Sequence, residues 1–146
     1  SGSIFTNWNH SGYLYEYTTI IYGHNMKDGS MFHSLKNYAS QSYYEEHPYM
    51  WYVTPQASYV LYVVGGFVAS TGYEGYFPVD SVQGVQELLH GAVGYSDIEA
   101  DYVIDGLTCD DIISSAQRMV LLSTCSYEFS NARYVIVAVP LLAKQG

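Results

Sequence analysis

Apolar residues in this 146-residue chain come in short runs rich in Tyr, Val and Ile, each closed by Gly, Asn, Asp or Pro. Runs of β-branched and aromatic residues between turn formers make short strands, and that pattern constrains the fold more than any other feature. It predicts strands near residues 3–6, 13–22, 49–54, 58–68, 119–125 and 133–139. Two segments carry helical spacing instead. In KDGSMFHSLKNYAS, residues 27–40, Met31, Phe32, Leu35 and Tyr38 share a face, with Asp28 or Ser30 to cap it. In PVDSVQGVQELLHG, residues 78–91, Asp80 or Ser81 caps, Val82, Val85, Leu88 and Leu89 share a face, and Gly91 ends the helix. Residues 92–118 are ambiguous, with DIISSAQ as either a short helix or a loop. The expected fold class is mainly β with a few short helices. No repeat, low-complexity tract or linker divides the chain, so residues 1–146 are expected to form a single domain.

Charge narrows the function classes. The formal net charge is −9, with only five Lys and Arg in the chain. A surface that tracks phosphates needs clustered cations, so no nucleic acid is expected as a partner, and no anionic membrane surface either. The longest apolar-rich run, residues 59–69, is broken by Gly65-Gly66, and no stretch is long and apolar enough to span a bilayer. Seventeen tyrosines suit half-buried strands and binding surfaces, since the ring is apolar and its tip polar. Two cysteines, Cys109 and Cys125, make no disulfide framework, and no Cys/His spacing fits a zinc site. Neither metal nor cofactor is expected.

The stretch LLSTCSYEFSNARYVIVAV, residues 121–139, holds one of the two cysteines and an arginine eight positions later. A thiol that ends an apolar run is commonly a small buried hydrophobe. Reactivity requires a neighbour that favours the thiolate, such as a cation. If Cys125 ends one strand and Arg133 opens the antiparallel next, a hairpin brings the two together. Arg133 stays protonated and offers several N–H donors, which suits it to a thiolate or an oxyanion. His24, in TTIIYGHNMKDGSMF, stands at the exit of another apolar run. Spacing by itself leaves Cys125 and His24 open between structural and chemical roles.

These residues also carry a family resemblance. Leu122-Ser123-Thr124-Cys125 and Arg133-Tyr134-Val135-Ile136-Val137 resemble the sortase signature TLxTC…R, with Leu121 where the family often has Thr. The run IIYGHNMKDGSMFHSLKNY resembles the histidine segment of class B sortases, and SIFTNWN the SIFLD-type segment before it. Nearly the whole chain follows the family's order. The resemblance implies a sortase-like β-barrel and a cysteine transpeptidase, with Cys125 as nucleophile, His24 as catalytic histidine and Arg133 as catalytic arginine. It places Ser123, Thr124 and Ser126 along the substrate groove. A helix-containing insertion over residues 78–118, before the cysteine strand, would wall one side of that groove. Cys109 lies in the insertion and matches no catalytic position; nor do His10, His33, His47 and His90.

The implied substrate is a sorting-signal peptide of a secreted protein, NPxTx- or SPxTG-like. The implied acceptor is an amine of peptidoglycan or its precursor, and the implied place is the extracellular face of a Gram-positive membrane, with the anchor outside this chain. Joining pilins through a lysine acceptor is an alternative within the family. A non-catalytic Tyr-rich module that binds peptide or glycan is an alternative outside it. The family's N-terminal helices and opening strands have no counterpart ahead of SIFTNWN, so the barrel is expected to lack them. Open sheet edges invite pairing between copies, which puts a strand-exchanged homo-oligomer among the expectations.

Overall fold

The computed structural model describes residues 3–5, 13–22, 35–70, 79–100, 103–104, 106–125 and 132–145. Six strands make one sheet: β1 (Ser3–Phe5), β2 (Thr18–Tyr22), β3 (Tyr49–Val53), β4 (Ala57–Ser70), β7 (Met119–Cys125) and β8 (Ala132–Gln145). Their order across the sheet is β1-β3-β4-β8-β7-β2. Pairings β3–β4, β4–β8 and β7–β8 are antiparallel, whereas β1–β3 and β2–β7 are parallel. A separate ribbon pairs β5 (Val103–Ile104) with β6 (Leu107–Thr108). Its turn contains Gly106 at φ 80°, a conformation that costs glycine little.

Helices occupy the gaps between strands. A 3-10 helix, Leu35–Ala39, leads into α1 (Gln41–Glu46); α2 (Val82–Tyr95) follows β4, and α3 (Cys109–Ser114) precedes β7. Ser81 caps α2, its hydroxyl accepting from the Gly84 amide at 3.0 Å. The helix buries Val85, Leu89 and Ala92, a stripe spaced by four and three residues. Helix α3 starts in a capping box, in which Thr108 and Asp111 each accept the other's backbone N–H.

Strand alternation divides the apolar residues between two cores. One holds Leu61, Val63, Val120, Leu122, Tyr134, Ile136 and Ala138 with Leu35, Tyr38 and Tyr44. The other holds Val64, Phe67, Leu121, Val135 and Val137 with residues of α2 and α3. Fully burying a single Leu, Ile or Val is worth about 1.5–3 kcal/mol, so each layer contributes substantially. Many tyrosines serve these cores through their hydroxyls. Tyr38 donates to the His47 carbonyl at 2.8 Å, Tyr44 to Val63 at 2.9 Å, and Tyr134 to Tyr38 at 3.1 Å. Burial, with Tyr43 beside it, pushes the Tyr38 phenol well above its ordinary range.

Several expectations shift. The strand expected at 13–22 spans only Thr18–Tyr22, whereas β4 and β8 run longer than expected. Residues 27–34 of the first expected helix lie outside the described residues, and 35–39 form a 3-10 helix. The second helix does not stop at Gly91 but runs to Tyr95, because Ala92 one residue later is 3% exposed and packs in the second core. Val82 is 38% exposed, so it takes no part in that packing stripe. The ambiguous stretch resolves into the β5–β6 ribbon and α3.

Two glycines predict opposite outcomes. A Cβ at Gly66 would overlap the Tyr134 hydroxyl, whereas one at Gly91 meets nothing within 4 Å. Gly66→Ala is expected to cost about 1–3 kcal/mol and Gly91→Ala to add about 0.5–1 kcal/mol, read from urea midpoints. At α3, hydrogen bonds from the Thr108 amide and then its hydroxyl hold the Asp111 carboxyl below its ordinary value. Its folded-state value is depressed, so its contribution is complete above the unfolded value and lost as pH falls through the folded one. Asp111→Ala is therefore expected to lower the Tm at neutral pH and to match the unaltered protein in acid.

Candidate active site

The site is built on the β7–β8 hairpin. Cys125 is the last residue of β7, and its register partner is Arg133, the second residue of β8. Directly opposed positions on an antiparallel pair bring their Cβ atoms to about 4.5–5.5 Å. The expected hairpin is therefore present, and it pairs the two residues by register rather than merely bringing them near. On its other side, Arg133 pairs with Ala69 of β4. The guanidinium-bearing residue thus lies on an internal strand, flanked by β4 and β7, and is half-buried.

Strand β2 supplies the third approach. It runs parallel to β7, and its last residue, Tyr22, pairs with Ser123. Parallel strands leave a sheet at the same end, so β2 ends two residues before His24, just as Ser123 stands two before Cys125. His24 itself lies outside the described residues, as does Ser126. Thr124 is a backbone member of β7 paired with Tyr134. Ser123 is 1% exposed and sits between Tyr22 and Val135 in the sheet.

Alternation assigns a face to the hairpin positions. Leu121, Val135 and Val137 face the second core, beneath α2 and α3, and positions 123 and 133 have the same parity. Across β4, Phe67 and Ala69 share that face, opposite Val135 and Arg133. The Phe67 ring meets Tyr95, the last residue of α2, edge-on with centroids 5.0 Å apart. This end of the sheet therefore carries an aromatic wall beside the hairpin. Among the described residues no cluster of His, Cys, Asp and Glu is arranged to hold a metal ion. No described helix is long and apolar enough to cross a membrane.

The remaining candidates fall elsewhere. Cys109 is 8% exposed at the start of α3, within the second core. The His47 ring stacks on Tyr43 at 4.1 Å, and its Nδ1 lies 3.0 Å from the Tyr43 carbonyl oxygen. His90 is exposed on α2. His10 and His33 lie outside the described residues.

Comparison with known proteins finds relatives that match most of the chain. The chain is 30% identical to Sortase B of Staphylococcus aureus (strain NCTC 8325 / PS 47) over 141 residues, which is 94% of this chain and 54% of the relative. It is 29% identical to Sortase B of Listeria monocytogenes serovar 1/2a (strain ATCC BAA-679 / EGD-e) over 143 residues, 93% of this chain and 53% of the relative. Over nearly its whole length the chain is similar to sortase B. No protein-family model matches it. It spans about half the length of the curated relatives it matches.

Solved structures of the family agree on the fold. A sortase B complexed with triglycine superposes at TM-score 0.66 and 28% identity, over 98% of this chain and 64% of that one. A Staphylococcus aureus sortase B–substrate complex superposes at 0.64 and 28%, over 88% and 56%. The mainly β sortase fold with short helices expected from the sequence is thus the fold observed. Sequence reasoning did not single out the Phe67–Tyr95 wall, because its partners are separated by twenty-eight positions and no local pattern links them.

The register pair makes a direct prediction. Replacing Arg133 by Gln removes a fixed positive charge opposite Cys125, which disfavours the thiolate. Arg133→Gln is expected to slow alkylation of Cys125 severalfold near neutral pH, measured by mass mapping of the adduct against Cys109.

Proposed function

We propose that this chain is the catalytic part of a cysteine transpeptidase that cuts a sorting signal and passes the acyl group to a cell-wall amine. The observation that carries the reading is the Cys125–Arg133 register pair, with the end of β2 alongside it at Ser123. Cys125 acts as nucleophile, His24 as general acid and base, and Arg133 as donor to the oxyanion or to the substrate backbone. Thr124 and Ser126 contribute to the groove around the nucleophile, and Ser123, 1% exposed, supports the groove from within the sheet rather than lining it.

Each role follows from the chemistry of the side chain. Thiolate is the strongest nucleophile that side chains offer near neutral pH. Its attack on the scissile carbonyl forms a C–S bond and puts negative charge on the carbonyl oxygen. Arg133 and backbone N–H groups stabilise that charge without exchanging a proton. When the C–N bond breaks, the leaving amine takes a proton from His24. The imidazole then accepts a proton from the incoming amine, which attacks the thioester, forms the new amide and restores the thiolate.

The substrate class is a peptide carrying an NPxTx- or SPxTG-like signal, and the acceptor is an amine of peptidoglycan or its precursor. The sortase B solved with triglycine makes that peptide the first acceptor to try. The proposed setting is the extracellular face of a Gram-positive membrane.

Incubation with NPxTx-, SPxTG- and LPxTG-type peptides tests the reading by mass spectrometry. The expected result is an acyl adduct on Cys125, discharged by added triglycine. Cys125→Ala is expected to abolish cleavage and Cys109→Ala to retain it. Equal loss from both variants, or no adduct with any peptide, overturns the assignment.

A further inference from the structure

The outer edge of β4 changes hands part-way along its length. Strand β3 pairs with it only up to Tyr62. Beyond that point other groups take over the backbone. The Val63 amide donates to the Pro48 carbonyl at 3.0 Å, and the Val63 carbonyl accepts from the Tyr44 hydroxyl at 2.9 Å. Gly66 is then held by the residues that follow α2. Its amide donates to the Ser96 hydroxyl at 2.9 Å, and its carbonyl accepts from the Asp97 amide at 2.7 Å.

Ser96 forms the centre of this clasp. Its oxygen also accepts from the Ile98 amide at 3.1 Å, and its single proton is shared between the Ile98 carbonyl at 2.8 Å and the Gly66 carbonyl at 3.2 Å. The approach is close at Gly65, where a Cβ would sit 3.3 Å from both Cβ and Oγ of Ser96. A second fastening lies just beyond. The Gln41 side chain donates to the Glu99 carbonyl at 3.0 Å and accepts from the Glu99 amide at 2.8 Å. Residues 96–99 are therefore tied to β4 on one side and to α1 on the other.

The clasp lies next to the proposed site. Tyr95 immediately precedes Ser96, and Phe67 immediately follows Gly66; their rings meet at 5.0 Å. Phe67 pairs with Val135, which pairs with Ser123, and two residues further along β4, Ala69 pairs with Arg133. Tyr95 is 49% exposed, so much of its ring is available to a bound peptide. We propose that Ser96 is a positioning residue, which fixes the end of α2 on the β4 edge so that Tyr95 and Phe67 form one wall of the peptide groove beside the Cys125–Arg133 pair. This rests on the transpeptidase reading given above.

Steady-state cleavage of an NPxTx-type peptide tests the proposal. Ser96→Ala deletes the acceptor for the Gly66 and Ile98 amides, and the wall loosens. The expected result is a rise in KM of roughly three- to tenfold with kcat held, and recovery in Ser96→Thr, which keeps the hydroxyl. A merely structural serine would instead lower the active fraction, so that apparent kcat falls at constant KM; that result overturns the proposal, as does an unchanged KM. If Ser96→Ala does not fold, Gln41→Ala, at a half-buried position, carries the test. It is expected to raise KM in the same direction, and an unchanged KM overturns the proposal. Failure of the unaltered chain to cleave the peptide overturns the transpeptidase reading and the positioning role together. An active parent with an insensitive KM overturns the positioning role alone.

Discussion

The long antiparallel pairing of β4 with β8, and the irregularity within it, fixes the rest of the molecule. The pairing joins two strands of fourteen residues, and the second of its two register shifts falls between Val63 and Gly65. Before the shift, Leu61 and Val63 face the first core; after it, Phe67 and Ala69 face the second. An extra residue on one strand exchanges the two faces, because side chains alternate with a period of two. Without that exchange, Phe67 and Ala69 would lie on the face opposite α2. The bulge therefore decides which residues of β4 stand beside Arg133.

A central strand also explains why an arginine can be held in place at all. Arg133 belongs to β8, which is flanked by β4 and β7, so its backbone is fixed by ladders on both sides. In the role proposed for Arg133, ladders on both sides remove backbone disorder from the donor, and preorganised donors stabilise developing charge most effectively. Cys125 occupies a different position, the very end of β7, where the regular ladder stops. One residue is thus anchored and the other sits at a strand exit, within one register pair. The register pair thus joins a strand interior to a strand exit.

The tyrosine excess finds its account in the same architecture. Tyr38, Tyr44, Tyr59 and Tyr134 are buried and tie separate segments together through hydroxyls hydrogen-bonded to backbone groups. Each fills core volume and satisfies a backbone group at once. Tyr134 fits only because Gly66 leaves space for its hydroxyl, and Gly66 also presents the amide and carbonyl that hold residues 96–97. A single glycine thus serves both the first core and the edge of β4.

The sequence by itself determined the local features. Runs of Val, Ile and Tyr located most strands of the main sheet, since β-propensity and turn residues act over a few positions. Asp80 or Ser81 announced the start of α2, and the STC and YGHNMKDGSMF motifs pointed to the candidate residues. Only the tertiary structure decided how these pieces meet. The run YVLYVVGGFVAS is apolar almost throughout, so its alternation conceals the bulge that exchanges its faces. Gly91 reads as a helix stop, yet burial of Ala92 carries the helix on, because packing outweighs a propensity cost of about 1 kcal/mol. The Ser96 clasp and the parallel seat of β2 on β7 join residues thirty to a hundred positions apart. Their energy comes from backbone groups left open at strand edges, and a strand edge exists only once the sheet has formed.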